Sequence, residues 1–451
     1  MEKKTQVCVL AAAGMLGSSF DEEGFRRALE QQPDVIGCDS GTSDSGPYYP
    51  GSGQPRMNRK AAKRDLELMI TEGVKRGIPV LVGSAGTSGA DPAVDWMVDI
   101  VREIAREQQL HFKLAEVKTE LTREQLATYM KAGKLHPLEG APAFEEKDLE
   151  SLSRCVSVAG AEPFVRALEE GAQVVICGRC TDTSIYAAVP IRHGLDNAFA
   201  WHAGKVLECG TLATVFEKRH GSMLAWVRED STSLEPGDPD MAVSPVSAAA
   251  HTLYENADPF LLVEPGRVLH LEETAYQQET GRRVKITGSR MERAPYTLKL
   301  EGVRFDGYRR VAVGGVSDPL ILRQFDSWLQ NCVRDARAKI QRGMGIPPEE
   351  YKLRCVVYGN PNDPDTQTVG VVADIVAKSE KDADGIISNV WHTMLHVPIR
   401  DWEGAQSQMA FPFSPPTLMT QNGGATYSFC LNHIIDVQDP LETCRIRYYD
   451  L

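Results

Sequence analysis

Three apolar runs in this chain break off in the same manner, and that repetition constrains the fold more than any other feature of the sequence. Runs 34–38, 78–82 and 172–177 have the length and apolar content of strands. Each passes directly into a polar loop: Asp39-Ser40-Gly41-Thr42-Ser43-Asp44-Ser45-Gly46, Gly83-Ser84-Ala85-Gly86-Thr87-Ser88-Gly89-Ala90-Asp91, and Gly178-Arg179-Cys180-Thr181-Asp182-Thr183-Ser184. Helical patterns lie between the runs. Residues 58–76 carry Leu66, Met69, Ile70 and Val74 at three-to-four spacing, and 92–108 carry Val94, Met97, Val98, Ile100 and Val101. Such alternation implies βαβ units and a mostly parallel sheet. All three loops would then leave the carboxyl edge of that sheet, where open α/β folds bind ligands.

After residue 220 the pattern changes to short strand-like runs set apart by Gly, Pro, Asn and Asp, interrupted by a long helix at 319–342 and another near 380–395. A chain of 451 residues exceeds one ordinary core. The expected fold class is therefore α/β. A mostly parallel, Rossmann-like domain is expected over 1–220 and a smaller α+β domain over 221–451. The net charge of −13, spread along the chain, argues against nucleic-acid or anionic-membrane partners. No signal peptide is read before the first strand-like run, and the cysteines sit mainly in apolar runs, so a cytoplasmic location is expected.

Chemistry is concentrated in the loops. In the first, Asp39 or Asp44 is a candidate acid or base, while Ser40, Thr42 and Ser43 are candidate donors to a carboxylate or phosphate. The competing reading is a capped turn. In the second, Gly83, Ser84, Gly86, Thr87 and Ser88 offer amides and hydroxyls ahead of a helix; alternatively Ser88 or Asp91 simply caps it. In the third, Gly178 allows close approach, Arg179 suits an anion, and Asp182 can accept a proton, unless Arg179 and Asp182 form a structural pair. Cys177 and Cys180 have CxxC spacing but no matching second pair, so they read as buried thiols.

The histidines carry weaker signals. His202 is a candidate general acid or base, although a lone histidine on a helix is more often structural. His392 and His396 share one helical face at i, i+4, without the intervening Glu of a zinc-protease motif. His433 has no signal of its own. The Gly14-Met15-Leu16-Gly17 segment departs from GxGxxG, which disfavours a nicotinamide cofactor, and neither a phosphate-loop motif nor a GxSxG elbow is present. No cofactor and no metal ligand set is assigned.

Taken in order, several segments resemble the AtuA family of acyclic terpene utilisation proteins. They are Cys177-Gly178-Arg179-Cys180-Thr181-Asp182-Thr183-Ser184, Gly204-Lys205-Val206-Leu207-Glu208-Cys209-Gly210, and Asp258-Pro259 ahead of Glu264-Pro265. Val284-Lys285-Ile286-Thr287-Gly288, the His392/His396 segment and Ala410-Phe411-Pro412-Phe413-Ser414-Pro415 follow. The amino-terminal segment Ala11-Ala12-Ala13-Gly14 is less glycine-rich than the family pattern. The resemblance implies a bacterial catabolic protein acting on small branched or acyclic acids, free or as thioesters, with Arg179, Asp182, Glu208 and Cys209 in its pocket.

The expected activity is that of a lyase, a hydratase or dehydratase, with a small carboxylate or acyl-CoA as substrate. Asp39, Asp44 or Asp182 would move the proton beside a carbonyl. Two rivals stand beside it: a non-catalytic acyl-binding subunit of a catabolic complex, and a metal-dependent enzyme built on His392 and His396. A homo-oligomer is the expected assembly.

Overall fold

The computed structural model describes residues 3–42, 44–215, 220–404 and 406–451, so the expected loop residue Ser43 lies outside the described residues. The chain forms two compact units, Met1–Val303 with Phe429–Leu451, and Arg304–Ser428.

The first unit is built on a ten-stranded sheet. Its strands are β1 (Gln6–Ala11), β2 (Val35–Asp39), β3 (Val80–Gly83), β4 (Lys113–Lys118), β5 (Val174–Cys177), β6 (Met223–Arg228), β7 (Thr232–Pro236), β8 (Ala275–Gln278), β9 (Val284–Thr287) and β10 (Arg445–Asp450). Their order is β8-β9-β7-β6-β1-β2-β3-β5-β4-β10. Pairing is parallel from β1 through β2, β3 and β5 to β4. It is antiparallel everywhere else, because β6 turns back onto β1 and β10 returns from the end of the chain onto β4. The sheet expected to be mostly parallel is thus a mixed one, with the parallel block at its centre.

Residue 220, where the sequence pattern changes, lies inside this unit. The two strands that come next, β6 and β7, extend the same sheet in the antiparallel sense, while Leu261–Glu264, Arg267–His270 and Arg290–Arg293 form a separate three-stranded sheet.

Successive strand residues point to opposite faces, and each face has its own core. Val7, Val9, Leu81, Val175 and Cys177 pack with helices α4 (Glu162–Glu169), α5 (Asp182–Arg192) and α6 (Ala198–Leu207). Cys8, Leu10, Ile36, Val82 and Ile176 pack with α1 (Glu22–Leu29), α2 (Arg59–Arg76) and α3 (Asp91–Glu107). Helix α2 begins where the Asn58 side chain accepts the Lys60 amide at 2.9 Å and ends at Gly77 in the left-handed region.

In the second unit, Tyr351–Tyr358, Val369–Ala377 and the outer part of Thr297–Val316 form antiparallel pairs. Helices Phe325–Met344 and Glu380–Met394 bury Trp328, Cys332, Ile340 and Val390 in the core of that unit. Among the described residues no helix is long and apolar enough to cross a membrane.

Leu81, fully buried in the central parallel block, tests the packing. Leu81→Ala is expected to lower the unfolding free energy by about 2–5 kcal/mol in urea denaturation followed by circular dichroism. An unchanged midpoint would contradict the assigned burial.

Candidate functional site

Strands β2, β3 and β5 are neighbours running the same way, so the loops that follow them emerge side by side. They are then locked together. The Ser84 hydroxyl donates to the Cys180 carbonyl (3.3 Å) and accepts from the Cys180 amide (3.4 Å) and from Arg179 Nη1 (3.1 Å). Ser40 Oγ accepts the Gly86 amide at 3.1 Å. Contact between backbones is close enough to exclude side chains: a Cβ on Gly89, which has φ of +64°, would lie 2.0 Å from the Arg179 nitrogen. The loop after β1 makes a similar approach, since a Cβ on Gly14 would lie 2.4 Å from the Cys209 carbonyl oxygen.

Arg179 sits where these loops meet. Its Nε donates to Glu301 Oε2 at 3.0 Å, and its Nη1 lies 3.8 Å from Asp182 Oδ1. Lys299 reaches the other Glu301 oxygen at 3.0 Å. Burial alone would raise the Glu301 carboxyl, but Arg179 and Lys299 outweigh it and bring the pKa down to about 2.

A cavity of about 350 Å³ opens beside Arg179 and is lined by Asp39, Asp182, Glu208, Cys209 and Tyr254, among others. A second cavity of about 270 Å³ shares Thr42 and Arg179 with it and adds Thr87, Ser88, Lys299 and Glu301. Asp39, 3% exposed, accepts the Gly41 amide at 3.0 Å. Its carboxyl is held well above the usual range, first by burial, then by repulsion from Asp182 and Cys180. Asp182, the first residue of α5, is raised by its enclosed setting, with Arg179 opposing the shift. Two carboxyls that repel each other in this way titrate as a pair, one retaining a proton where an isolated carboxyl would lose it.

A second group of ionisable side chains lies at the end of α6. Lys205 Nζ donates to Glu208 Oε1 at 2.7 Å. Burial nevertheless pushes Glu208 up to about 8, with Lys205 opposing and Asp182 and Glu264 adding. Glu264, buried and accepting from the Thr183 hydroxyl, is raised by burial to about 7. His251 is lowered to about 4 by burial and by Lys205.

The expected site residues thus divide by use. Asp39, Thr42, Asp44, Arg179, Asp182, Glu208 and Cys209 line the first cavity, and Thr87 and Ser88 the second. Ser40 and Ser84, both buried, have hydroxyls already engaged in loop-to-loop bonds. Gly83, Gly86 and Gly178 serve packing: a Cβ on them would meet Ile185 at 2.4 Å, Ala93 at 2.7 Å and Thr119 at 2.7 Å respectively. Neither Ser88 nor Asp91 caps α3, whose N-cap Ala90 has no side-chain bond; Ser88 Oγ accepts the Ala90 amide instead.

Of the histidines, His202 is fully buried between Ser289 (2.8 Å) and Thr252 (2.9 Å), and burial lowers it to about 3, which makes it a core residue. His392 and His396 are exposed in the second unit, and the helix ends at Met394, short of His396. The His433 ring is buried edge-on to Phe144. Cys177 and Cys180 are buried free thiols. The sequence reading missed Glu301, Lys205, His251 and Tyr254. Only Lys205 had a local signal, its i, i+3 spacing to Glu208.

A family model described as acyclic terpene utilisation family protein AtuA matches residues 52–419, well over half of the chain. No curated protein and no solved structure matches. The matched range contains Arg179, Asp182, Glu208 and Cys209, and begins after Asp39 and Asp44.

The Arg179–Glu301 pair has a testable pH signature. A carboxyl whose folded pKa is depressed adds stability above its unfolded value of 4.5, and that stability is lost as pH falls towards 2. Glu301→Gln is expected to destabilise the protein by about 3–5 kcal/mol at neutral pH, because Arg179 loses its partner. The gap from wild type should shrink between pH 4.5 and 2 in urea denaturation. A gap that does not vary with pH would remove Glu301 from this role.

Proposed function

The chain belongs to the acyclic terpene utilisation AtuA family, a membership that suggests a catabolic protein of terpene utilisation, and on that footing we propose that it is a hydro-lyase. Its substrate is a small branched or acyclic carboxylate, free or as a thioester. The observation that carries this reading is the pair Asp39 and Asp182, two burial-raised carboxyls from different loops, beside Arg179 in one cavity.

The chemistry follows from that pair. Asp182, nearer the guanidinium and ionised more readily, takes the proton from the carbon next to the carbonyl. Asp39 holds its proton most strongly and gives it to the departing hydroxyl, so the C–O bond breaks and water leaves. Hydration runs through the same atoms in reverse. Nε and Nη1 of Arg179 are engaged by Glu301 and Ser84, so its contribution to the substrate is fixed positive charge near the carbonyl oxygen. Thr42 adds a hydroxyl at the cavity wall, and Met15 and Leu212 offer apolar surface to a branched chain. Asp44, exposed on the first loop, has no step assigned.

The full chain incubated with branched unsaturated and 3-hydroxy acids, free and as CoA thioesters, is expected to add or remove one water, read by mass spectrometry. Asp39→Asn and Asp182→Asn should each slow turnover by roughly 10²–10⁴-fold while retaining the wild-type circular dichroism spectrum. Binding without turnover across the panel would replace the enzyme with an acyl-binding subunit. Absence of both would end this assignment of the cavity.

A further inference from the structure

Two side chains of the cavity wall, and a third close to them, carry donor atoms of a different kind. Glu208 closes α6, Cys209 follows it, and His251 lies near the end of the helix Pro245–Leu253. A carboxylate oxygen, the thiol sulfur and a ring nitrogen from these residues lie within 4.8 Å of one another. A tetrahedral ion with ordinary zinc bond lengths holds its ligand atoms about 3.3–3.8 Å apart, so the three need draw in by only about an ångström.

Two independent observations point to a ligand there. His251 is 7% exposed, and its buried Nε2 makes no hydrogen bond among the described residues. Buried histidine nitrogens are normally satisfied, as both are in His202 of the same unit. The second observation is charge. The cavity wall that holds Glu208 and Cys209 also carries Asp39, Asp44, Asp182 and Glu255, with Arg179 among them. Lys205 donates to Glu208 Oε1, and an outer hydrogen bond of that kind orients a ligating carboxylate.

We infer that Glu208, Cys209 and His251 bind a divalent transition-metal ion, zinc before others. Sulfur, imidazole nitrogen and carboxylate oxygen together suit zinc or a neighbour in its series and are a poor match for magnesium or calcium. Three protein ligands leave a fourth position open. Glu208 and Cys209 line the cavity, so that position faces the space where the substrate would sit. An ion held there polarises a carbonyl oxygen or a bound water, as catalytic zinc sites do. The site is separate from the exposed His392 and His396, and it does not depend on the hydro-lyase reading, since ion uptake is read without substrate.

Full-length protein without a histidine tag is analysed for bound metals, then stripped and titrated with Co²⁺. One equivalent of zinc or a related ion is expected, together with a saturable cobalt spectrum containing a sulfur-to-cobalt charge-transfer band. Cys209→Ser should abolish that band. His251→Ala should weaken cobalt binding by roughly 10- to 100-fold or more, at least the effect of losing an outer-shell partner. Glu208→Gln, which keeps the side-chain shape, serves as a further variant should either fail to fold. Lack of stoichiometric metal together with no saturable cobalt spectrum would overturn the inference. So would a charge-transfer band that survives in folded Cys209→Ser.

Discussion

The guanidinium of Arg179 is the charge on which the rest of the site depends. A buried cation is costly unless paired, and here the pairing also ties the site together. Glu301 neutralises it, Ser84 anchors it to the neighbouring loop, and Asp182 lies within reach of its field. Because Arg179 opposes the rise at Asp182 more than at Asp39, the two carboxyls are not equivalent. That inequality is what an acid and a base in one pocket require.

The loops that carry these groups are packed backbone to backbone. Their backbones touch at Gly89 and Arg179 and at Gly14 and Cys209, with no room for a Cβ. The loop after β1 therefore rests directly on the segment that supplies Glu208 and Cys209. Two sets of groups meet at one cavity as a result: Asp39 and Asp182 in its wall, and Glu208 and Cys209 in the same wall with His251 close to them. Asp182 acts electrostatically on members of both.

Much of this was legible in the sequence, because the signal was local. An apolar run followed by a polar glycine loop occurs three times, and the three strands proved to be neighbours in one sheet. What local pattern could not convey was partnership across the chain. Ser40 and Ser84 read as available donors, yet Gly86 and Arg179 occupy them from other loops. Gly83, Gly86 and Gly178 read as room for an anion, and in the fold Ile185, Ala93 and Thr119 pack closely against them. The antiparallel strands β6 and β10 join the parallel block from distant segments, so the alternation before residue 220 revealed only the centre of the sheet. His202 and His251 look alike in sequence; one has two hydroxyl partners and the other a buried nitrogen with no partner among the described residues, a difference set by packing alone.

The central proposal is that Asp182 takes a proton from the carbon beside a substrate carbonyl while Asp39 protonates the departing hydroxyl. Solvent exchange measures the removal of that proton without waiting for water to be gained or lost. A branched 3-hydroxyacyl thioester held with the protein in D₂O, followed by proton NMR, should take up deuterium at that carbon with the wild-type chain and not with Asp182→Asn. No uptake with wild type, or equal uptake with folded Asp182→Asn, would contradict it.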